Sequence, residues 1–116
     1  MMDIEFGVEP GAVGPGGQVS GSVSVSYPGR YDGVVVNAQV LDSNHHVTYT
    51  SCNGKQVTGK IARLFIPRDQ MPGNKAAFTA EMAFEPDRDY EVKFRASIIE
   101  QHKEIESSIV FVTYSG

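Results

Sequence analysis

The sequence has little of several features that mark particular classes of protein. Of its 116 residues one is a cysteine, Cys52, and none is a tryptophan. A single cysteine excludes an intrachain disulfide and favours a reducing compartment. No apolar run approaches membrane-spanning length, and the start, Met-Met-Asp-Ile-Glu, is acidic where a signal peptide is basic. We therefore expect a soluble, cytoplasmic protein without a membrane-spanning segment.

Basic residues are also outnumbered, with a formal net charge of -4. Proteins that bind the phosphate backbone are usually basic, so nucleic acid is disfavoured as a partner. The charges are unevenly spread: the segment from Lys55 to Lys75 is basic, and the segment from Glu81 to Glu91 is acidic. Two such patches could steer a partner or pair two copies, although ordinary solvated faces are the simpler interpretation.

Catalytic signatures are missing as well. No Gly-x-Ser-x-Gly nucleophile elbow occurs, and most serines lie on one repetitive strand face. Cys52 stands beside a turn and could be a reactive thiol with His45 or His46 as its base. Nothing in the sequence around Cys52 lowers its pKa, which favours an inert residue. We expect no enzymatic activity.

Two patterns suggest a phosphate or metal site, and both have a simpler interpretation. The segment 54–60 has the spacing of a phosphate-binding loop, but Ile61 stands where Ser or Thr should hold magnesium. A hairpin with a flanking glycine fits better. His45, His46 and His102 could bind a metal, yet adjacent histidines on a strand point to opposite faces. Solvated turn histidines are favoured, and we expect no cofactor.

The acidic turn around residue 87 is a third pattern. Glu85, Asp87 and Asp89 alternate and could supply oxygen ligands to Ca²⁺. Pro86 and Arg88 interrupt the cluster, and Arg88 can neutralise it. A tight turn whose acids face water is the favoured interpretation.

What the sequence does have is alternation, and it is clearest between Arg88 and Ile99. Apolar side chains fall on one face and polar ones on the other, with a period of two, which predicts a strand with one buried face. A helix would scatter the same residues around its surface. We place this strand near the centre of a β-sandwich. The predicted inward residues are Tyr90, Val92, Phe94, Ala96 and Ile98.

The rest of the chain also reads as strands. Seven or eight strands are predicted with turns every eight to twelve residues and no convincing helix, which is typical of an immunoglobulin-like Greek-key β-sandwich. We expect one domain over residues 1–116. Gly21 faces inward in the second strand and predicts a bend or the close approach of a neighbouring backbone. Predicted segments besides 88–99 are 3–8, 18–27, 32–42, 46–50, a less clear piece at 57–67, 76–85 and 104–114; residues 10–17 are predicted as a loop.

Two stretches together resemble the arrestin family. The segment from Pro15 to Val25 is similar to the family's Pro-Gly-x-x-Val-x-Gly-x-Val-x-Val strand. Phe84-Glu85-Pro86 followed by Tyr90-Glu91-Val92 resembles the passage from a phenylalanine-containing turn to a Tyr-x-Val strand. The resemblance implies an arrestin-like sandwich that acts as an adaptor or scaffold in trafficking or signalling. The family has two such sandwiches, whereas this chain has the length of one, and dimerisation could supply the second.

The resulting functional hypothesis is a non-enzymatic protein-interaction domain that self-associates into a homodimer or other homo-oligomer. Free sheet edges and the two charged patches would supply the contacts, because edge strands can add a strand from a partner. The candidate contact residues are Arg63, Phe65 and Arg68 in the basic segment and Glu85, Asp87 and Asp89 in the acidic turn.

The alternative is a β-sandwich module that binds carbohydrate or calcium. Carbohydrate binding would require exposed aromatic rings as stacking platforms. Tyr31, Tyr49 and Tyr114 are the aromatic residues available for that role.

Overall fold

A computed structural model describes residues 3–57 and 63–116. In these residues the regular structure is almost entirely β-strand, with short 3-10 turns at Arg68–Gln70 and Pro72–Asn74. The all-β prediction is confirmed. The strands are β1 (Ile4–Glu9), β2 (Ala12–Val13), β3 (Gln18–Val25), β4 (Gly33–Val40), β5 (Val47–Cys52), β6 (Lys55–Gln56), β7 (Arg63–Pro67), β8 (Lys75–Met82), β9 (Tyr90–Glu100) and β10 (Lys103–Tyr114).

The strands form two five-stranded sheets with the core between them. The first sheet has the order β1-β3-β8-β5-β6, and the second has the order β2-β10-β9-β4-β7. Neighbouring strands are antiparallel, except that β2 runs parallel to β10. Eight of the strands have five residues or more, in line with the predicted seven or eight. The sequence pattern does not predict the two-residue strands β2 and β6.

The strand β2 corrects the prediction that residues 10–17 form only a loop. The chain leaves the first sheet after β1, passes a cis Glu9–Pro10 peptide and joins the edge of the second sheet. There the amide of Thr113 donates to the carbonyl of Gly11 at 2.9 Å. Such a short strand is created by a partner far away in sequence, so the local pattern carries no sign of it.

The predicted central strand is confirmed. β9 lies between β10 and β4, and its five predicted inward side chains are at most 4% exposed. The outward residues of β9 alternate with them, as the period of two requires. β9 therefore fixes which face of each neighbouring strand points away from the core.

The predicted close approach at Gly21 exists, but the neighbour is a side chain and not a backbone. A Cβ on Gly21 would lie 2.1 Å from Cζ of Phe78, which is the residue paired with it on β8. The Phe78 ring also meets Tyr49 edge-on at 5.7 Å and Phe94 at 6.3 Å between ring centroids. Gly21 thus lets this aromatic cluster of the core reach β3.

The tyrosines proposed as stacking platforms are buried, so that prediction is wrong. Tyr31, Tyr49 and Tyr114 are 4%, 0% and 1% exposed. Each turns its ring inward and satisfies its hydroxyl within the protein; for example, the Tyr49 hydroxyl donates to the carbonyl of Val36 at 3.1 Å. A buried phenol needs such a partner, and these rings are part of the packing.

The least clear predicted segment, 57–67, contains β7 at its end. Residues 58–62, including Ile61 and Lys60, lie outside the described residues. In the described ranges no helix is long and apolar enough to cross a membrane.

Candidate interaction surface

The surface of the second sheet that points away from the core, here called the outer face, carries exposed apolar side chains. Phe65 on β7, Ile109 on β10 and Phe111 on β10 are 48%, 46% and 51% exposed. Their register places them there: Phe111 pairs with Lys93 and Ile109 with Arg95, both outward residues of β9. Ile109 and Phe111 are two residues apart on β10, whereas Phe65 lies three strands away at the other edge of the sheet. Exposed large hydrophobics that lie close together indicate a binding site more strongly than single scattered ones.

Cationic side chains lie between these apolar ones on the outer face. Arg95 and Lys93 are the cross-strand neighbours of Ile109 and Phe111, and Arg63 is two residues from Phe65 on β7. Long basic side chains can lay their methylene stems along apolar surface and keep the charge in water. The outer face therefore combines apolar and basic side chains in a protein whose net charge is negative, and the acidic Glu91 and Glu104 lie on it as well.

A hydrogen-bonded cluster at the start of β10 fixes the conformation of the outer face there. The Ser97 and Ser107 hydroxyls donate to Oε1 of Glu104 at 2.7 and 2.5 Å, and a guanidinium nitrogen of Arg95 lies 2.5 Å from the same oxygen. The two serine hydrogen bonds, with the Arg95 charge as a smaller contribution, hold the pKa of Glu104 below its usual value. The cluster sits at a bulge between Glu104 and Glu106 and fixes where β10 begins.

Beside the outer face, β10 has an unpaired edge. On one side β10 pairs with β9 along its length; on the other, only Thr113 and Tyr114 pair, with β2. We call the span from Ile105 to Phe111 the free edge, since no strand of the described residues pairs with it there. Ile105 at its start is 44% exposed.

The direction of the backbone groups follows from alternation. The amide of Thr113 points towards β2, because it donates to Gly11. N–H and C=O groups of alternate residues point to the same side of a strand, so those of Phe111, Ile109 and Ser107 point out from the free edge. The residues with exposed apolar side chains thus also present backbone donors and acceptors.

The predicted basic contact residues are only partly brought together. Arg63 and Phe65 share the outer face of β7 and pair with Asn37 and Val35. Arg68 lies beyond the end of β7 in a 3-10 turn, with its guanidinium carbon 5.1 Å from the ring centroid of Tyr31. Arg63 and Phe65 therefore belong to the candidate surface, and Arg68 does not.

The acidic turn is occupied with local contacts. The Tyr90 hydroxyl donates to Asp87, and this bond is the largest of the effects that lower the pKa of the Asp87 carboxyl. Arg88 lies over the Tyr90 ring at 4.1 Å and donates to the carbonyl of Asp42 at 2.9 Å. Glu85 and Asp89 are both exposed.

The acidic turn and Arg68 lie at opposite ends of the second sheet. The turn leads into Tyr90 at the start of β9. The amide of Arg68 donates to the carbonyl of Asp32, next to Gly33, which pairs with Ile99 near the end of β9. Nine steps of about 3.3 Å separate Tyr90 from Ile99, or roughly 30 Å. A partner that contacted both the acidic turn and Arg68 would have to span this distance.

The other predicted ligand patterns have structural roles. His45 stacks on Phe84 with ring centroids 3.8 Å apart and an interplanar angle of 3°. Burial raises the pKa of the half-buried Cys52 thiol, the opposite of what a reactive cysteine needs. Asn53 and Gly54 have φ of 51° and 81° and form the turn between β5 and β6. Residues 58–60 of the segment 54–60 lie outside the described residues. In residues 3–57 and 63–116 no three His, Cys, Asp or Glu side chains are grouped to hold a metal.

Sequence reasoning missed Ile105, Ile109 and Phe111. The run from Ile109 to Val112 is apolar at every position, so alternation alone cannot say which residues face out. The register against β9, whose pattern is clear, supplies the answer. No family model, curated protein or solved structure significantly matches this chain.

Proposed function

We propose that this chain is a non-enzymatic protein-interaction domain, an adaptor or scaffold that binds an extended strand of a protein partner. The observation that carries the proposal is the free edge of β10 from Ile105 to Phe111, bordered by exposed apolar side chains on the outer face. An edge of this kind is a ready template for strand addition.

The outer face supplies what backbone pairing alone lacks, which is selectivity. A strand added beside β10 would place every second side chain next to Ile109 and Phe111, over the outer face. Apolar residues there would remove those side chains from water. An acidic residue beside Phe111 would be attracted to Lys93, because complementary charge steers association and fixes register. Arg95 already pairs with Glu104 at 2.5 Å. The preferred partner strand is thus mainly apolar and carries no basic residue.

We further propose that the sandwich is of the immunoglobulin-like Greek-key type found in arrestins. The two stretches that resemble the family supply the long strands β3 and β9, each interior to its sheet, which supports the proposal. A reducing, cytoplasmic setting fits the single cysteine.

The test is affinity capture from a lysate of the source organism, read by mass spectrometry. The variant Ile109→Lys/Phe111→Lys changes two exposed positions of the candidate surface. The matched control, Ser20→Lys/Ser22→Lys, adds the same charge at two exposed serines of β3 on the opposite side of the molecule. Proteins captured by the wild type and the control, and lost with the variant, are the expected result.

Two single variants separate the predicted contact residues. Arg63→Glu should weaken capture less than Ile109→Lys/Phe111→Lys, because Arg63 is on the outer face but three strands from β10. Arg68→Glu should leave capture unchanged, because Arg68 is in the turn at the end of β7. Capture that is equal for wild type and the Ile109→Lys/Phe111→Lys variant would contradict the proposal, as would capture of no specific protein.

A further inference from the structure

We infer that the strand bound at the free edge is β10 of a second copy of this chain, running antiparallel about a two-fold axis at Ser108. This inference rests on the proposed function and names its partner. The second sheets of the two copies would then form one continuous sheet, and their outer faces would merge.

The first argument is that the protecting features of the free edge lie only at its start, where Glu106 and the bulge are, whereas those of the other sheet edges extend along the whole strand. β1 has the exposed Glu5 and Glu9, β6 has two residues including Lys55, and β7 has Arg63 and Pro67. Charges, proline and very short strands are the usual means of preventing edge pairing. From Ser107 to Phe111 the free edge has no proline and no charged residue.

The second argument is that the free edge is complementary to itself. Ser108 is its midpoint, so antiparallel pairing about Ser108 places Ile105 opposite Phe111 and Ser107 opposite Ile109. The one ionisable side chain, Glu106, falls opposite Val110, and its carboxylate already accepts a hydrogen bond from the Asp3 amide at 2.5 Å. No like charges oppose each other along the free edge, even though the chain as a whole is negative.

The third argument concerns the ends of the paired span. At Phe111 it stops where β2 takes over the edge at Thr113, and at Ile105 it stops at the bulge that precedes Glu106. A bulge bends a strand away from the regular ladder. The bulge of each copy lies opposite the β2 end of the other, which leaves space for β2.

The geometry gives a specific test by disulfide cross-linking. The backbone groups of Ser108 point towards β9, since those of Ser107 and Ile109 point out. Opposite residues of this type in an antiparallel pair have Cα atoms about 4.5 Å apart, and a disulfide spans about 4.4–6.8 Å. Ser108→Cys in a Cys52→Ser background should therefore form a dimeric disulfide in mild oxidant.

Two cysteine controls accompany this variant in the same background. Ser107→Cys tests the register, because its Cα atoms would lie two residues out of line, beyond the roughly 7 Å that a disulfide can bridge. Ser22→Cys places an exposed cysteine on the interior strand β3. Efficient cross-linking of the Ser108→Cys variant alone is the expected result. Equal cross-linking of all three, or preferential cross-linking at position 107, would overturn the inference.

Sedimentation of the unmodified chain provides the second readout. The contact is small, so a weak dimer is expected, visible from low micromolar to near-millimolar concentration. Ile109→Lys should raise the dimer dissociation constant about tenfold or more, because it places a cation on each side of the axis. Circular dichroism checks that the variant is folded.

The outcomes separate this inference from the proposed function. A wild type that stays monomeric, with no cross-link in the Ser108→Cys variant, overturns the second copy as partner. If the Ile109→Lys/Phe111→Lys variant still loses other captured proteins, the interaction function remains. If capture also fails to depend on those residues, both proposals are wrong.

Discussion

At position 21 the space for a side chain is occupied by a neighbour. A Cβ on Gly21 would lie 2.1 Å from the Phe78 ring, which is held on its other sides by Tyr49 and Phe94. We expect Gly21→Ala to lower the free energy of unfolding by about 1–3 kcal/mol, the usual cost of overpacking a core. Urea denaturation measures it.

The matched control for that change is Gly7→Ala. Gly7 pairs with Ser22 on the adjacent strand, and a Cβ there meets nothing within 4 Å. The urea unfolding midpoint of the Gly7→Ala variant should stay close to that of the wild type. If the Gly21→Ala and Gly7→Ala variants were equally stable, that result would contradict the described contact between the Phe78 ring and Gly21.

Glu104 gives a pH prediction at the same scale. Its pKa in the folded protein is held below the ordinary 4.5 by Ser107, Ser97 and Arg95. A carboxyl with a lowered pKa stabilises the fold above its unfolded pKa, and that contribution is lost as the pH falls through the folded pKa. Glu104→Gln should thus be less stable at neutral pH, by up to about 1 kcal/mol because the group is exposed and screened.

The check is denaturation of wild type and variant from pH 7 down to below pH 4. The difference in stability should shrink as the pH falls, since both proteins then carry an uncharged side chain at position 104. Glu5→Gln on the first sheet, away from this cluster, serves as the control for loss of an exposed carboxylate. A difference that stays constant with pH would contradict the assigned cause.

At the scale of the element, two hairpin turns differ in how well their residues suit a positive φ. Asn53-Gly54 joins β5 to β6, and Gln101-His102 joins β9 to β10; all four residues have positive φ. Asn-Gly suits such a turn, whereas Gln and His adopt this conformation at a cost. We expect Gln101→Asn/His102→Gly to stabilise the protein by about 1 kcal/mol.

The measurement is thermal and urea unfolding of the double variant. Gly54→Ala makes the opposite change, since it removes a glycine from a position with positive φ. It should lower the free energy of unfolding, because Gly54 has φ of 81°. A double variant no more stable than the wild type would show that contacts of Gln101 or His102 outweigh the backbone effect.

Whether a strand could be predicted depends on whether its own residues or a distant pairing partner determine it. β9 and β3 could be predicted because each alternates apolar and polar residues within itself. β2 could not, because its pairing with Thr113 and Tyr114 is set by a distant partner. The outer side of β10 could not either, because Ile109 and Val110 are both apolar. The candidate surface depends on that last point, so only its Arg63 and Phe65 portion was predictable.

At the scale of the whole molecule, the N-terminal segment connects the two sheets. β1 pairs with β3 in the first sheet, and β2 pairs with β10 in the second. Deletion of residues 3–13 removes the buried Ile4 and Val8 and exposes new edges on both sheets. We expect this variant to unfold at lower urea concentration, with a less cooperative transition, and to aggregate.

Unfolding followed by two probes, circular dichroism and tyrosine fluorescence, tests that expectation. The wild type at the same concentration is the reference, and its two transitions should coincide. A deletion variant with the same midpoint and cooperativity would show that each sheet closes without the segment.

The same segment determines how the fold would respond to a pulling force. β1 and β2 follow β10 in its own direction, so Asp3 lies near Glu106 and Val13 lies beside Tyr114. The two ends of the described chain therefore leave the sandwich in opposite directions. Tension between them would shear the β2–β10 and β1–β3 hydrogen bonds together and would not peel them apart one by one, so we expect this sandwich to resist a force applied along its strands.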